Sequence, residues 1–173
     1  MTPIAWRRAE ARDAPALSIL GGATFLTSFA HDHPGAALTA HIRTAHGEAY
    51  YAAALADPTQ TLLIGETPLG AAVGYAMITP PDLPIATDPA HDVELKRIYL
   101  LHGWQGGGHG DRIMALVVEE ARRRGARRLL LAVYPQNERA RRFYARHGFG
   151  EIGELTFMVG DAPFRDLIYA RTL

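Results

Sequence analysis

Leu100-Leu101-His102-Gly103-Trp104-Gln105-Gly106-Gly107-Gly108-His109-Gly110-Asp111 is the stretch that decides how this chain is read. It joins an apolar segment, Val93 to Leu101, to a segment in which Ile113, Leu116, Val117 and Ala121 fall at helical spacing on one apolar face. The order is therefore strand, glycine turn, amphipathic helix. Glycines let backbone N–H groups approach a ligand closely. A helix N-terminus adds unpaired donors and a partial positive charge. Together these make an anion site, most often one for phosphate. A turn that merely connects two elements needs fewer glycines than this one has.

Three phosphate motifs compete for the turn. A P-loop needs Gly-x-x-x-x-Gly-Lys followed by Ser or Thr. The single lysine, Lys96, precedes the turn, so that motif is excluded. The dinucleotide fingerprint Gly-x-Gly-x-x-Gly fails in both registers, because its third glycine would fall at Asp111 or at Ile113. What fits is Gln-x-x-Gly-x-Gly, at Gln105, Gly108 and Gly110.

Outward from the turn, Gly125 follows an arginine-rich last helical turn as a left-handed cap would. Leu129 to Val133 is a continuous apolar run, as expected of a strand covered on both faces. Asn137 should start a short helix with Ala140, Phe143, Tyr144 and His147 on one face, ended by Gly148. Glu151–Val159 and Arg165–Arg171 read as closing strands. Toward the N-terminus, Ile4–Arg8 alternates like a strand, and Asp13 could cap a helix running past Leu20. His33-Pro34-Gly35 is a turn, Leu38–Leu55 reads as one helix, and Thr61–Glu66 and Ala71–Thr79 read as two strands. A proline-rich loop, Pro80–Asp92, leads to the strand at Val93. Strand–helix–strand in the middle implies a parallel pair, and the close flanking strands imply antiparallel neighbours. The expected fold is α/β: a mixed, mostly antiparallel sheet with flanking helices.

The chain has 173 residues, the size of one domain, so a single domain over residues 1–173 is expected. Hydrophobic residues are 48 % and charged residues 21 %, an ordinary globular composition. Basic and acidic residues number 18 each, which counts against a uniformly basic nucleic-acid binder. The neutrality hides two poles: nine arginines and one acid, Glu138, fall between Ala121 and Arg146. There is no cysteine, so thiolate nucleophiles and Cys-ligated metals are excluded. The first residues lack a signal-peptide apolar core, and no run approaches a membrane helix, so a cytoplasmic protein without membrane or nucleic-acid partners is expected.

Two separate stretches resemble the GCN5-related N-acetyltransferase family. One is the strand, Gln105–Gly110 turn and helix. The other is Leu129–Phe149, similar to the family's strand followed by Asn-x-x-Ala-x-x-Phe-Tyr-x-x-x-Gly-Phe, here Asn137, Ala140, Phe143, Tyr144, Gly148 and Phe149. The resemblance covers roughly residues 93 to 150. It implies the acyl-CoA N-acyltransferase fold, with a central parallel pair, Val93–Leu101 and Leu129–Val133, that splays apart. It implies acetyl-CoA as co-substrate and no metal, a primary amine acceptor (small molecule, polyamine or protein amino group), and direct attack in a ternary complex. Dimers are common in the family, so a homodimer is one assembly it admits. By the same resemblance Ile98, Tyr99 and Leu100 run beside the pantetheine arm. The amides of Gln105, Gly106, Gly107, Gly108, His109, Gly110 and Asp111 hold the pyrophosphate. Asn137, Ala140 and Phe143 line the opposite wall, and Tyr144 serves as general acid near the sulfur.

The chemistry asks for such parts. A lysine-like amine has a pKa of ~10.4, so presenting it neutral at pH 7 costs ~4.6 kcal/mol. A base or a desolvating pocket must offset that. The oxyanion needs N–H donors, expected from Tyr99 and Leu100. Glu94, at the start of the cofactor strand, is the candidate base through a water; the plainer reading is a solvated strand-end acid. Tyr144 read plainly is a core aromatic.

Two residues depart from the family pattern: His109, where an aliphatic is usual, and Asp111, whose carboxylate must turn away from a pyrophosphate or be compensated by Arg112. His31-Asp32-His33 could suggest a metal, but with no third placed ligand it reads as a polar loop. Phe25, Phe29, Tyr50 and Tyr51 fall on helices that, by the resemblance, wall the acceptor site. Asp82, Asp88, Asp92 and Glu94 would favour a cationic amine if their loop borders its mouth. Two alternatives to an enzyme remain: a catalytically silent acyl-CoA-binding sensor or partner module, and a nucleic-acid binder using the arginine cluster.

Overall fold

A computed structural model describes residues 3–173. Seven strands form one sheet: β1 (Ala5–Arg8), β2 (Thr61–Glu66), β3 (Ala72–Thr79), β4 (Asp92–Leu100), β5 (Arg128–Val133), β6 (Gly150–Val159) and β7 (Ala162–Thr172), in the order β1-β2-β3-β4-β5-β7-β6. Among the described residues β4 and β5 are the one parallel pair; every other neighbour is antiparallel. Three helices precede the central strands: α1 (Ala14–Phe29), α2 (Gly35–Ala45) and α3 (Glu48–Ala56). Helix α4 (His109–Arg123) carries the crossover from β4 to β5, and α5 (Glu138–Arg146) follows β5. No described helix is long and apolar enough to cross a membrane.

The sheet is covered on both faces, which is why β2 and β3 are apolar at nearly every position. Period-two alternation divides their side chains. Leu62, Ile64, Tyr75 and Met77 pack under α1 and α3 with Leu17, Leu20 and Tyr51. Leu63, Ala76 and Ile78 face the other way, onto Ile113, Met114, Val117 and Ala121 of α4. Burying each such side chain contributes roughly 1.5–3 kcal/mol. A third cluster seats Phe25 of α1 and Leu38 of α2 over the β6–β7 end, against Phe157, Val159 and Phe164.

The single helix expected over Leu38–Leu55 is two. It breaks at His46-Gly47, where a β-carbon on Gly47 would lie 2.5 Å from the Arg43 carbonyl oxygen. The chain turns there so that Tyr51 reaches the core. Asp13 does not cap α1 with its side chain. Its carboxylate is taken by Arg7, at 2.7 and 2.8 Å, and by the Glu10 N–H. Arg7 also grips Glu66, tying β1, β2 and the start of α1 together.

Candidate active site

The site begins where two strands part. β4 and β5 pair over only three positions, Asp92 with Arg128, Val93 with Leu129, and Glu94 with Leu130. Beyond them β4 stays with β3 and β5 stays with β7. The register between β3 and β4 slips by one: Met77 faces Arg97 and Ile78 faces Leu95, leaving Lys96 as a bulge. A bulge bends and twists its strand, here at the point of divergence. Each strand then presents an unpaired edge, a template for an extended, amide-bearing ligand. Leu101 N–H donates to the Val73 carbonyl, so by antiparallel alternation Tyr99 turns its N–H toward β3 while Ile98 and Leu100 turn theirs into the gap. Of the two donors expected for an oxyanion, Leu100 is free and Tyr99 is engaged.

A cavity of about 760 Å³ runs through the gap. At one end lie Gly106, Gly108, Gly110 and Asp111. Gly106, Gly107 and Gly108 have φ of 94°, 57° and 82°, a left-handed run that residues with a β-carbon resist. It curls the chain into the start of α4 with Gly108 as the N-cap. The N–H groups of Gly106, Gly108, Gly110 and Asp111 find no acceptor among the described residues. The His109 N–H bonds back to the Gly106 carbonyl at 3.2 Å, and neither Gly107 nor His109 lines the cavity.

Gln105 works as a clasp. Its amide nitrogen donates to the Leu100 carbonyl at 3.0 Å, and its amide oxygen accepts from Arg139 on α5. Gly110 lets α5 close in: a β-carbon there would sit 3.2 Å from the Phe143 ring. The Asp111 carboxylate meets His147 Nε2 at 3.0 Å, so its partner is His147 and not Arg112.

The middle of the cavity is walled by Ile98, Tyr99 and Leu100 on one side and by Asn137, Ala140 and Phe143 on the other. Asn137 caps α5, its side-chain oxygen accepting from the Ala140 N–H at 3.0 Å. Two turns later Tyr144 reaches the lining, packed edge-on against Phe143 and Phe149. Burial pushes its phenol well above the ordinary tyrosine value. No described residue hydrogen-bonds its hydroxyl. A protonated, unengaged donor facing a cavity is what a departing thiolate needs.

Glu94 also lines the cavity, but it is 2 % exposed rather than solvated. One carboxylate oxygen lies 3.2 Å from the Lys96 ammonium, and the other accepts from the Asp82 N–H at 2.8 Å. Of the other loop acids only Asp82 lines the cavity. Asp92 is bound to Arg128 at 2.5 Å, and Asp88 to His91 at 2.7 Å. The arginine cluster is likewise engaged elsewhere. Arg123 and Arg124 converge with Arg8 on Glu120, which is 7 % exposed. Burial pushes the Glu120 carboxyl up, but the hydrogen bonds from Arg123, Arg8, Arg124 and Thr61 outweigh it and hold the group well below the usual carboxylate range. Of the nine arginines in that segment, Arg139 and Arg146 line the cavity.

The far end was not legible in the motifs. Phe25 and Phe29 reach it from α1, as expected, whereas Tyr50 and Tyr51 lie elsewhere. Phe25 and Phe29 face Phe157 and Phe164, a cross-strand pair of β6 and β7. His33 stacks on Phe164, with ring centroids 3.7 Å apart, and is held through Nδ1 by Asp32 at 2.6 Å. The Tyr134 hydroxyl donates to the other oxygen of Asp32 at 2.8 Å. Asp166, paired with Leu155 in the same ladder, also lines the cavity. It is 9 % exposed, has no partner among the described residues, and burial pushes its carboxyl up to about 6. The available signal was local: strand alternation puts Asp166 on the same face as the apolar Phe164 and Ile168.

This architecture matches known proteins along its whole length. The sequence pattern of the "Acetyltransferase (GNAT) family" matches residues 25–149. An uncharacterized N-acetyltransferase of Mycobacterium bovis is 33 % identical over 165 residues, which are 93 % of this chain and 98 % of that protein. One from Lactobacillus delbrueckii subsp. lactis is 24 % identical over 173 residues, covering 100 % of this chain and 99 % of the relative. Among solved structures, the PaiA N-acetyltransferase of Thermoplasma acidophilum, in complex with coenzyme A, superposes with a TM-score of 0.80 at 16 % identity over 99 % of both chains. The protein yncA of Salmonella typhimurium, solved with its cofactor acetyl-CoA, does so at 0.71 and 21 % identity over 99 % of this chain and 95 % of that one. The parted parallel strands, the glycine turn and the Asn137–Tyr144 helix thus come together in a chain that belongs to the GNAT acetyltransferase family and is an N-acetyltransferase.

Proposed function

We propose that the chain binds acetyl-CoA along the parted strands and passes the acetyl group directly to a primary amine held beside it in a ternary complex. The observation that carries this reading is the divergence of β4 and β5 beyond Glu94 and Leu130, with a cavity running from the glycine turn past Tyr144. The free N–H groups at Gly106, Gly108, Gly110 and Asp111 suit a pyrophosphate. The inward-facing backbone of Ile98 and Leu100 suits the amides of a pantetheine arm, with Asn137, Ala140 and Phe143 closing the opposite side. Tyr99 lines the same stretch, its ring stacked on Tyr75 at 5.8 Å. Gln105 holds the turn shut between β4 and α5, and Gly107 and His109 shape it without facing the ligand.

In the reaction the Leu100 N–H donates toward the oxygen that gains charge. Tyr144 gives its proton to the leaving sulfur. A cavity carboxylate must take the proton from the acceptor amine. Glu94 can do so through a water on a remaining lone pair, beside the bonds its oxygens make to Lys96 and the Asp82 N–H.

Calorimetric titration with acetyl-CoA tests the binding half of this reading. Gly108→Asp should abolish binding, because a carboxylate would be placed against the pyrophosphate; unchanged affinity would refute the phosphate site. Release of free thiol over a panel of polyamines, amino acids, aminoglycosides and peptide amino termini tests the transfer half. Binding without turnover on any amine would mark the chain as a silent acyl-CoA-binding module.

A further inference from the structure

We propose that Asp166 is the carboxylate that receives the acceptor's ammonium group and removes its proton, and that the acceptor is a monocationic primary amine with an apolar, ring-sized body. The inference rests on the function proposed above and deepens it. Asp166 stands at the strand position just past the end of β5, because Val133 pairs with Leu167 and the ladder stops there. It therefore opens into the gap from the face covered by α1 and α2. Tyr144 reaches the same cavity from α5, which packs on the other face with α4. A proton acceptor and a proton donor so arranged flank a thioester lying between the strands.

The surroundings of Asp166 define what it can bind. Phe25, Phe29, Phe157 and Phe164 line this end of the cavity, and Leu155 faces Asp166 across the ladder. A buried, unpaired carboxylate among aromatic rings is costly to keep ionised unless a cation arrives. Rings also attract the methylenes and the charge of an ammonium. The groups that face this region from neighbouring elements are Tyr99 on β4, Tyr134 on β5, His41 on α2, which packs on Phe25 and Phe157, and His31, Asp32 and His33 between α1 and α2. Arg165 points outward to Glu154 at 2.5 Å. None of these places a cation on the Asp166 carboxylate. Its proton affinity, raised by burial, matches the need of a base working near neutral pH. Glu94, by contrast, already faces a cation of the protein itself, Lys96 at 3.2 Å.

The step balances as follows. Asp166 takes one proton from R–NH3+, giving R–NH2 and a neutral carboxyl. The nitrogen lone pair forms the N–C bond to the thioester carbonyl, whose π pair moves to oxygen at Leu100 N–H. That pair returns, the C–S bond breaks, and the sulfur takes the Tyr144 proton. The nitrogen's second surplus proton restores the phenol, and Asp166 releases its proton to solvent. The net change is amide, free thiol and one proton.

The test uses 2-phenylethylamine and spermidine as probes. Calorimetry of 2-phenylethylamine into coenzyme A-saturated protein should show binding at pH 7.5 that Asp166→Asn weakens at least tenfold, with acetyl-CoA affinity kept within twofold. In turnover, kcat/KM for 2-phenylethylamine should exceed that for spermidine at least tenfold. Asp166→Asn should lower it at least 100-fold and abolish its fall on the acid side, while Glu94→Gln and His33→Asn keep that fall. Binding and turnover of Asp166→Asn within threefold of the unmodified protein would overturn the inference. An acid-side fall that persists in Asp166→Asn and disappears in Glu94→Gln or His33→Asn would overturn it too. Preference for spermidine, or no binding of 2-phenylethylamine, would overturn the acceptor class. Failure of the unmodified protein to bind acetyl-CoA would refute the parent reading. Normal acetyl-CoA binding and turnover with an indifferent Asp166→Asn refutes this inference alone.

Discussion

Replacing Asp166 by asparagine should stabilise the fold, and should do so only above the pH at which the carboxyl ionises. Burial raises this group from 3.8 to about 6 in the folded protein. The folded state therefore holds its proton more tightly than the unfolded chain does. Its stability is fully present below about pH 3.8, falls as pH rises through about 6, and is level above that. A gap of about two pH units corresponds to roughly 3 kcal/mol at pH 8, about half of that at pH 5 and under about 1 kcal/mol at pH 4. Asparagine has the same shape and no charge to desolvate, so the variant escapes this loss. Urea unfolding of both proteins at pH 4, 5, 6.5 and 8 measures the difference. At pH 8 the variant should gain about 3 kcal/mol, or roughly 6–12 °C in Tm for a chain of this size. A gain of the same size at pH 4 and pH 8, or a loss at pH 8, would refute the reasoning. The combination of a more stable protein with a slower enzyme is what a strained functional group produces.

Other outcomes follow from the same structure. Tyr144→Phe should lower kcat about 100-fold in thiol-release assays with acetyl-CoA affinity kept, since the ring packing survives and only the donor is lost. Asn137→Ala removes the cap of α5 and should cost about 1 kcal/mol in urea unfolding, together with a weaker acetyl-CoA affinity as Ala140 and Phe143 shift. Gly21→Ala would drive a β-carbon to 2.2 Å from the Tyr51 hydroxyl and 2.6 Å from His46 Nδ1, and should destabilise by about 1–3 kcal/mol. Arg123→Ala with Arg124→Ala should lower stability at pH 7 while leaving acetyl-CoA affinity within twofold, because both side chains serve Glu120. Since the Glu120 carboxyl is held low, that loss should shrink as pH falls below about 4.

Local patterns carried much of the architecture. The alternation and apolar runs located six strands within a residue and placed the seventh, although β7 starts at Ala162, three residues before the expected Arg165, because strand periodicity is a property of neighbours in sequence. Glycines at 125 and 148 marked the ends of α4 and α5 for the same reason. The break at Gly47 was not legible, because it depends on where the Arg43 carbonyl lies and on the pull of the core on Tyr51. Asp13 had the residue type of a cap, but a competing partner, Arg7, arrives from another strand. The arginine run also misled at the level of side chains: Arg123 and Arg124 stand at the end of α4 remote from the glycine turn and spend their charge on Glu120.

The glycine-turn end of the cavity could be read directly because a helix N-terminus and its glycine turn are contiguous chain. The acceptor end could not, because it is assembled from α1, the turn before α2, β6 and β7, and the unpaired Asp166 becomes conspicuous only once those elements enclose it. By itself the sequence determined the strand–glycine turn–helix segment, the Asn137–Tyr144 helix and the family. The tertiary structure decided which groups are free and which are spent: Leu100 rather than Tyr99 at the gap, His147 rather than Arg112 on Asp111, and Asp166 left without a partner. The physical reason is that backbone conformation follows from near neighbours, whereas the state of a charge depends on everything within a few ångströms, most of which comes from far along the chain.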